Sequence, residues 1–324
     1  MIGQERVGER PADVLAVVVP CYKEVAVLEE TTRRLGTLLK QLTDSGKVDS
    51  GSFVLYVNDG STDGTWELIT RLHEANCFVR GVNLAANVGH QNALVAGLSV
   101  AKEWADILVT IDADLQDDVE AIRAMVDRYH EGSDIVYGVR SSRETDTWFK
   151  RNTALAFYRL MRSWGVRSVY NHADFRLMSR RAVEQLLCYI ERNLFLRGMV
   201  PLLGYHTAKV YYVRAERFAG ESKYPLGKML NFAVDGITSF SVKPVRMVLF
   251  IGLCFLLIAL GTLIYVLISY FRGNVLPGWS SLMLSLWFCS GCVLVAIGII
   301  GEYIGKIYIE VKDRPRYNIE RILR

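Results

Sequence analysis

Two uncharged apolar runs, residues 248–270 and 281–300, constrain this chain more than any other feature. Each is long enough as a helix to cross a hydrocarbon core of roughly 30 Å, and two such runs in succession do not fit the buried hairpin of a soluble core. Charge is distributed unevenly around them. The joining segment 271–280 holds one basic residue, Arg272, whereas Lys228, Lys243 and Arg246 precede the first run and Lys306, Lys312, Arg314 and Arg316 follow the second. Basic flanks stay on the cytoplasmic side, so both chain ends are expected there, in a multi-pass protein of the cell membrane. Neither run contains Asp, Glu, Lys, Arg or His, which points to anchoring rather than transport. Gly291, Gly298 and Gly301 allow close helix contact and are compatible with a homo-oligomer.

The remaining two thirds read differently. Residues 14–139 alternate short apolar runs with longer amphipathic stretches, the mark of β-α-β units and a mostly parallel, Rossmann-like α/β sheet. Strands are expected at 14–19, 53–57, 79–83, 107–111 and 135–137, and helices at 28–42, 66–74, 91–102 and 119–129, with Ser61 or Thr62 capping the second. Between 146 and 164, aromatic and apolar residues recur at helical spacing among arginines; a helix lying in the membrane interface and a helix packed on the sheet both satisfy that pattern. The expected organisation is a cytoplasmic sheet domain over 1–225 that includes this helix, an amphipathic interface helix at 226–246, an apolar hairpin at 247–303 and a cytoplasmic tail at 304–324. The first 13 residues lack an apolar h-region, so no cleaved signal is expected. With a net charge of +4 gathered beside the apolar third, an anionic lipid surface suits the chain better than nucleic acid. Six cysteines show no disulfide spacing.

Chemistry concentrates at strand ends. Directly after the fourth expected strand comes Asp112-Ala113-Asp114-Leu115-Gln116, and in an extended backbone the side chains of Asp112, Asp114 and Gln116 share one side. Carboxylates this close repel, and a hard divalent cation relieves the repulsion while leaving positions for pyrophosphate oxygens, so Mg²⁺ or Mn²⁺ with a nucleotide diphosphate is expected. Pro20-Cys21-Tyr22-Lys23-Glu24 and Asn58-Asp59-Gly60-Ser61 follow the first and second strands at the same edge. Tyr22 can stack on a base and Asp59 can accept from base or ribose; either can equally end a turn. No G-x-G-x-x-G follows the first strand, which argues against a dinucleotide site.

Taken in order, Pro20-x-Tyr22-x-Glu24, Asn58-Asp59-Gly60-Ser61-x-Asp63-Gly64-Thr65, Asn87-x-Gly89-His90-Gln91-x-Ala93 and Asp112 to Asp117 resemble family 2 glycosyltransferases with a glycosyltransferase-A fold. Asp174-Phe175-Arg176-Leu177, Arg217-x-x-Gly220-Glu221-Ser222-Lys223-Tyr224, Gly301-Glu302-Tyr303-Ile304-Gly305 and Arg314-Pro315-x-Tyr317 are similar, more narrowly, to polyprenyl-phosphate glycosyltransferases, the bactoprenol glucosyltransferases among them. The resemblance spans residues 14–317. It implies that Pro20, Tyr22, Glu24, Asp59 and Asp112 hold the nucleotide, that Asp112, Asp114 and Gln116 hold the metal, and that Asp114 and Asp174 are catalytic, Asp174 lying near the transferred sugar. Lys23, where Asn is common, and Asp118, where Pro is usual, depart from the pattern.

The implied reaction is inverting transfer of a hexose, glucose from UDP-glucose in preference to a GDP-sugar, onto a polyprenyl phosphate. A lipid phosphate is already anionic and needs its charge held in line rather than a base. Arg140, Arg217 and Lys223, with Ser222 as a donor and Arg151 as a further candidate, are the expected acceptor-phosphate contacts. A salt bridge to Arg176 or another arginine is the structural alternative for Asp174. Mannose transfer from GDP-mannose, an aminoarabinose transferase and an inactive membrane scaffold are the competing readings; a processive polysaccharide synthase is disfavoured because no Q-x-x-R-W occurs.

Overall fold

Strand β1 (Leu15–Cys21), LAVVVPC, is buried at every position, which is what a strand covered on both faces of a sheet requires. The computed structural model describes residues 12–141, 172–192, 194–213, 243–272 and 278–324. After β1 the chain alternates α1 (Val25–Asp44), β2 (Phe53–Asn58), α2 (Thr65–Ala75), β3 (Val79–Leu84), α3 (His90–Ala101), β4 (Ile107–Thr110), α4 (Ala121–His130) and β5 (Ile135–Arg140). These are the elements expected from hydrophobic periodicity, with ends moved by one to three residues. The second helix departs in its cap: Gly64, in left-handed conformation, precedes Thr65, and neither Ser61 nor Thr62 caps it. Ser61 Oγ instead accepts from the Lys23 amide at 3.0 Å.

Residues 172–212, for which no elements were expected, supply four more elements and a short turn. They are β6 (His172–Ser179), α5 (Arg180–Leu187), α6 (Leu196–Met199) with the 3-10 turn that follows it, and β7 (Thr207–Tyr212). The eight strands lie in the order β7-β5-β6-β4-β1-β2-β3-β8, where β8 is Ile319–Leu323. Pairings β1–β2, β1–β4, β2–β3 and β5–β7 are parallel, and β4–β6, β5–β6 and β3–β8 antiparallel. From β1 the chain moves to β2 and β3 on one side, then returns to place β4 on the other. The ends of β1 and β4 therefore flank a topological switch point, where an α/β sheet opens a crevice. Helix α3 closes that centre from one face. A Cβ on its Gly97 would lie 2.5 Å from Val18 Cγ1 and 2.7 Å from Val57 Cγ2, so only glycine lets the helix approach so near.

The described residues divide into two units, the sheet unit and a helical pair. Helices α7 (Lys243–Phe271) and α8 (Trp279–Val311) are both long and apolar enough to cross a membrane, and their most apolar windows, Val245–Thr262 and Phe288–Val311, bury nothing within the chain. Phe250, Leu257 and Leu294 are each more than 60% exposed, apolar surface that water does not tolerate on this scale. Two boundaries are corrected. The second helix does not stop near 300 but continues to Val311, with Glu302 and Lys306 paired one turn apart. It ends where Asp313 takes a positive φ of 42° ahead of Pro315. The expected tail is not separate either: Arg314–Arg324 belong to the sheet unit, and β8 pairs antiparallel with β3. The interfacial-helix expectations at 146–164 and 226–242 lie outside the described residues.

Candidate active site

The crevice between β1 and β4 is walled by the residues that follow each strand. Strand β4 stops at Thr110, and Leu115 adopts a left-handed φ of 57°, so residues 112–116 turn rather than continue extended. The expected alternation of Asp112, Asp114 and Gln116 on one face is thus corrected to a turn. Leu115 is drawn into the core at 5% exposure, which forces the reversal. Asp114 is buried and its Oδ1 accepts from the Gln116 amide at 3.2 Å; Asp112 and Gln116 are partly open. Asp117 faces inward, accepting from the Tyr212 hydroxyl at 2.5 Å and facing Arg140 Nη2 at 3.5 Å.

Asp112 sits among acids. Its carboxyl is pushed up to about 6, first by burial, then by Asp174, Asp117 and Asp114, with His90 opposing them. Yet 40% of its side chain is open, so a ligand reaches it from the crevice. His90, at the start of α3, places Nε2 3.5 Å from Asp112 Oδ1 and 3.8 Å from Asp174 Oδ2.

Asp174, near the start of β6, is set by antiparallel pairing with β4; Thr110 Oγ1 donates to its carbonyl. Arg176 Nη2 lies 2.6 Å from Asp174 Oδ1, and Arg197 donates Nε to Oδ1 at 3.3 Å and Nη2 to Oδ2 at 3.0 Å. Burial alone would raise this carboxyl, but Arg197 and Arg176 outweigh it and hold it well below the usual range. A carboxylate in that setting is a poor proton acceptor. The alternative of an arginine salt bridge is the one the geometry contains.

On the β1 side, Pro20 is buried and Tyr22 is 46% exposed, its ring 5.4 Å from Lys23 Nζ. The turn is tied down by Lys23 to Ser61 and by the Glu24 amide donating to Thr65 Oγ1 at 3.2 Å. Asp59 is 3% exposed, with Oδ1 taking the Val88 amide at 2.7 Å and Oδ2 the Gly89 amide at 3.0 Å, the turn-holding contacts that were one of its two expected roles. It fixes the loop that leads into α3 and His90. Gly60 makes that loop's approach feasible, because a Cβ there would lie 2.5 Å from the Asn87 nitrogen.

Arg140, at the end of β5, is the one expected acceptor contact within the described residues; Arg151, Arg217, Ser222 and Lys223 lie outside them. The sequence reading assigned no role to His90, Asp117, Arg197 or Tyr212. His90 and Asp117 stand inside motifs that were recognised, whereas Arg197 and Tyr212 carry no local signal and are brought in by α6 and β7. Among the described residues no three His, Cys, Asp or Glu side chains stand in metal-holding geometry.

The sequence matches the family model "Glycosyl transferase family 2" over residues 16–187. It is 52% identical over 307 residues to the uncharacterized glycosyltransferase YkoT of Bacillus subtilis (strain 168), covering 95% of this chain and 91% of that one. It is 38% identical over 315 residues to the SfII prophage-derived bactoprenol glucosyl transferase of Shigella flexneri, covering 95% and 97%. Among solved structures, glucosyl-3-phosphoglycerate synthase of Mycobacterium tuberculosis aligns with a TM-score of 0.47 and 22% identity over 70% of this chain and 79% of that one.

Proposed function

The chain belongs to glycosyl transferase family 2 and is a glycosyltransferase of the glycosyltransferase-A fold, and from that premise we propose that it moves a hexose from a nucleotide-sugar, UDP-glucose in the first instance, onto a polyprenyl phosphate at the cytoplasmic membrane face. The observation that carries the reading is the pairing, in one chain, of an acid-lined crevice at the β1/β4 switch point with two helices of membrane-spanning length. Relatives named bactoprenol glucosyl transferase, alike over nearly their whole length, support the lipid acceptor.

The donor set fits a hard divalent ion. Asp112, Asp114 and Gln116 can offer oxygen ligands, and the burial and neighbouring acids that raise Asp112 are offset by a cation. Magnesium is held by one or two carboxylates plus substrate phosphates rather than by an all-protein cage, so Asp112 and Asp114 suffice on the protein's side. When bound, such an ion neutralises charge on the departing nucleoside diphosphate. The chain's own residues do the remainder. Pro20, Tyr22 and Glu24 form the wall for the nucleotide, with Tyr22 presenting its open ring to the base, while Asp59 holds the opposite loop in place. Arg140, with Arg151, Arg217, Ser222 and Lys223, is assigned to the acceptor phosphate, whose existing charge makes a general base unnecessary. A single displacement then inverts the anomeric centre.

Flanking charge supports the topology. The basic residues around 243–246 and 306–316, on either side of the helical pair, support a cytoplasmic position for both of its ends. The test is to incubate membranes containing the full chain with undecaprenyl phosphate and a panel of UDP- and GDP-sugars, with and without Mg²⁺ or Mn²⁺, and to identify the lipid product by mass spectrometry. A hexosyl phosphoryl polyprenol formed from UDP-glucose supports the proposal; no lipid product from any donor removes it.

A further inference from the structure

We infer that Arg197 contacts the acceptor's phosphate oxyanion alongside the residues already assigned to it, and that Asp174 is a positioning residue that aims it. This rests on the transfer reading above and adds residues to it. Arg197 stands on α6, a four-residue helix whose placement is fixed from both sides. The Leu196 amide donates to Gln91 Oε1 at 2.8 Å, and the Leu196 carbonyl accepts from Arg176 Nη1 at 3.4 Å. With its neighbour's backbone pinned and its own guanidinium gripped at two points by Asp174, Arg197 is already ordered before any ligand arrives.

The two arginines that share Asp174 differ in one decisive respect. Arg176 is 2% exposed and serves the core, whereas 36% of the Arg197 side chain is open. Nε and Nη2 of Arg197 are engaged by Asp174, so it is the exposed remainder of a charged guanidinium held rigid at the rim that a phosphate can meet. Asp174 also meets His90, which meets Asp112, so Arg197 belongs to the same crevice as the acidic loop but to its opposite lip. Phosphate oxygens reach the protein from two sources here, the donor's diphosphate and the acceptor's monoester. On the proposed function the acidic loop takes the diphosphate through a cation, so the monoester falls to the basic side of the crevice, where Arg197 stands. Base catalysis by Asp174 has no proton to remove from a phosphate nucleophile.

The experiment uses the full chain in detergent, with farnesyl phosphate as one probe and UDP with Mg²⁺ as the other, together with sugar transfer by the same samples. Arg197→Gln is expected to weaken farnesyl phosphate binding by about tenfold or more and to leave UDP binding within about twofold. Arg197→Lys, which keeps the charge and loses the fork, should fall between, and it carries the comparison if the glutamine variant does not fold. Asp174→Asn should raise the acceptor KM more than it lowers kcat, with the pH profile unmoved. Unchanged farnesyl phosphate binding in both Arg197 variants, or a loss that falls on UDP, overturns the assignment. So does an Asp174→Asn variant that binds farnesyl phosphate normally yet loses kcat at saturating acceptor. Wild-type protein that binds farnesyl phosphate through Arg197 but transfers no sugar would sink the transfer reading alone.

Discussion

The two lips of the crevice hold carboxylates that share a histidine and differ in everything else. On the β4 lip, Asp112 lies among Asp114, Asp117 and Asp174 and is pushed up to about 6; on the β6 lip, Asp174 lies between Arg176 and Arg197 and is held far down. His90 stands 3.5 Å from the first and 3.8 Å from the second. Environments that push two neighbouring carboxyls apart mark a division of labour. On the proposed function the β4 lip receives a cation, and on the inference drawn above the β6 lip, which carries two guanidinium groups, receives an anion. The largest effect should come from disabling the first without touching the second. Asp114→Asn should lower radiolabelled sugar transfer into extracted lipid by about 10³-fold, roughly 4 kcal/mol of transition-state stabilisation, while farnesyl phosphate binding is kept. Transfer at the wild-type rate with the metal requirement intact would remove Asp114 from the metal site.

The converse change attacks the β6 lip from beneath. Arg176→Met fills similar volume but leaves Asp174, whose side chain is 12% exposed, with one guanidinium instead of two. Removing one partner of a buried pair costs about 3 kcal/mol when another partner remains, at the low end for such breaks. Thermal melting of the detergent-solubilised chain should fall accordingly, whereas UDP binding in the surviving folded fraction should not. A smaller effect is expected where the lips are tied together. Tyr212→Phe removes the hydroxyl that donates to buried Asp117, leaving that carboxylate to Arg140 at 3.5 Å. A loss of about 1–2 kcal/mol in stability is expected, with a higher Mg²⁺ concentration for half-maximal transfer. An unchanged Mg²⁺ requirement would show that Asp117 does not position the acidic loop.

The same contrast explains what the sequence disclosed. A strand buried on both faces reads as a short continuous apolar run, so β1, β2 and β4 were legible almost to the residue. The acidic lip was legible because its residues are contiguous, from Asp112 to Asp117, and close spacing of carboxylates is itself a signal. Its conformation was not, because the left-handed turn at Leu115 is set by burial of that side chain, a tertiary effect. The basic lip was only partly legible, for a different reason. The Asp174–Arg176 pair, two residues apart on β6, was within reach of the sequence, but Arg197 joins it only through the docking of α6, which no local spacing encodes. For Asp59 the sequence left a ligand contact and a turn-ending role open, because the amides its carboxylate accepts from come from residues 88 and 89 on another loop. β8 was hidden because a five-residue strand after a membrane-type helix has the composition of a tail.

The smallest effect, and the sharpest on the β4 lip, concerns Asp112 and pH. An ordinary carboxyl titrates near 4, and in the folded chain this one is raised to about 6, so the fold favours its neutral form. The sign follows from linkage. Below about pH 4 the residue is protonated in folded and unfolded chains alike and costs nothing; as pH climbs through about 6, ionisation in the folded state becomes an unfavourable contribution. Metal-free Asp112→Asn should therefore melt above wild type at about pH 7.5 and level with it at about pH 4. The gain is small because two fifths of the side chain is open and water screens its charge. Added Mg²⁺ should reverse the ranking, since the cation stabilises wild type and the asparagine variant has lost the ligand. For wild type, the Mg²⁺ concentration giving half-maximal transfer should rise as pH falls below about 6, where the proton competes with the ion. Asp112→Asn that melts below metal-free wild type at about pH 7.5 would show that the carboxylates are already compensated, and the crevice would then have one electrostatic character rather than two.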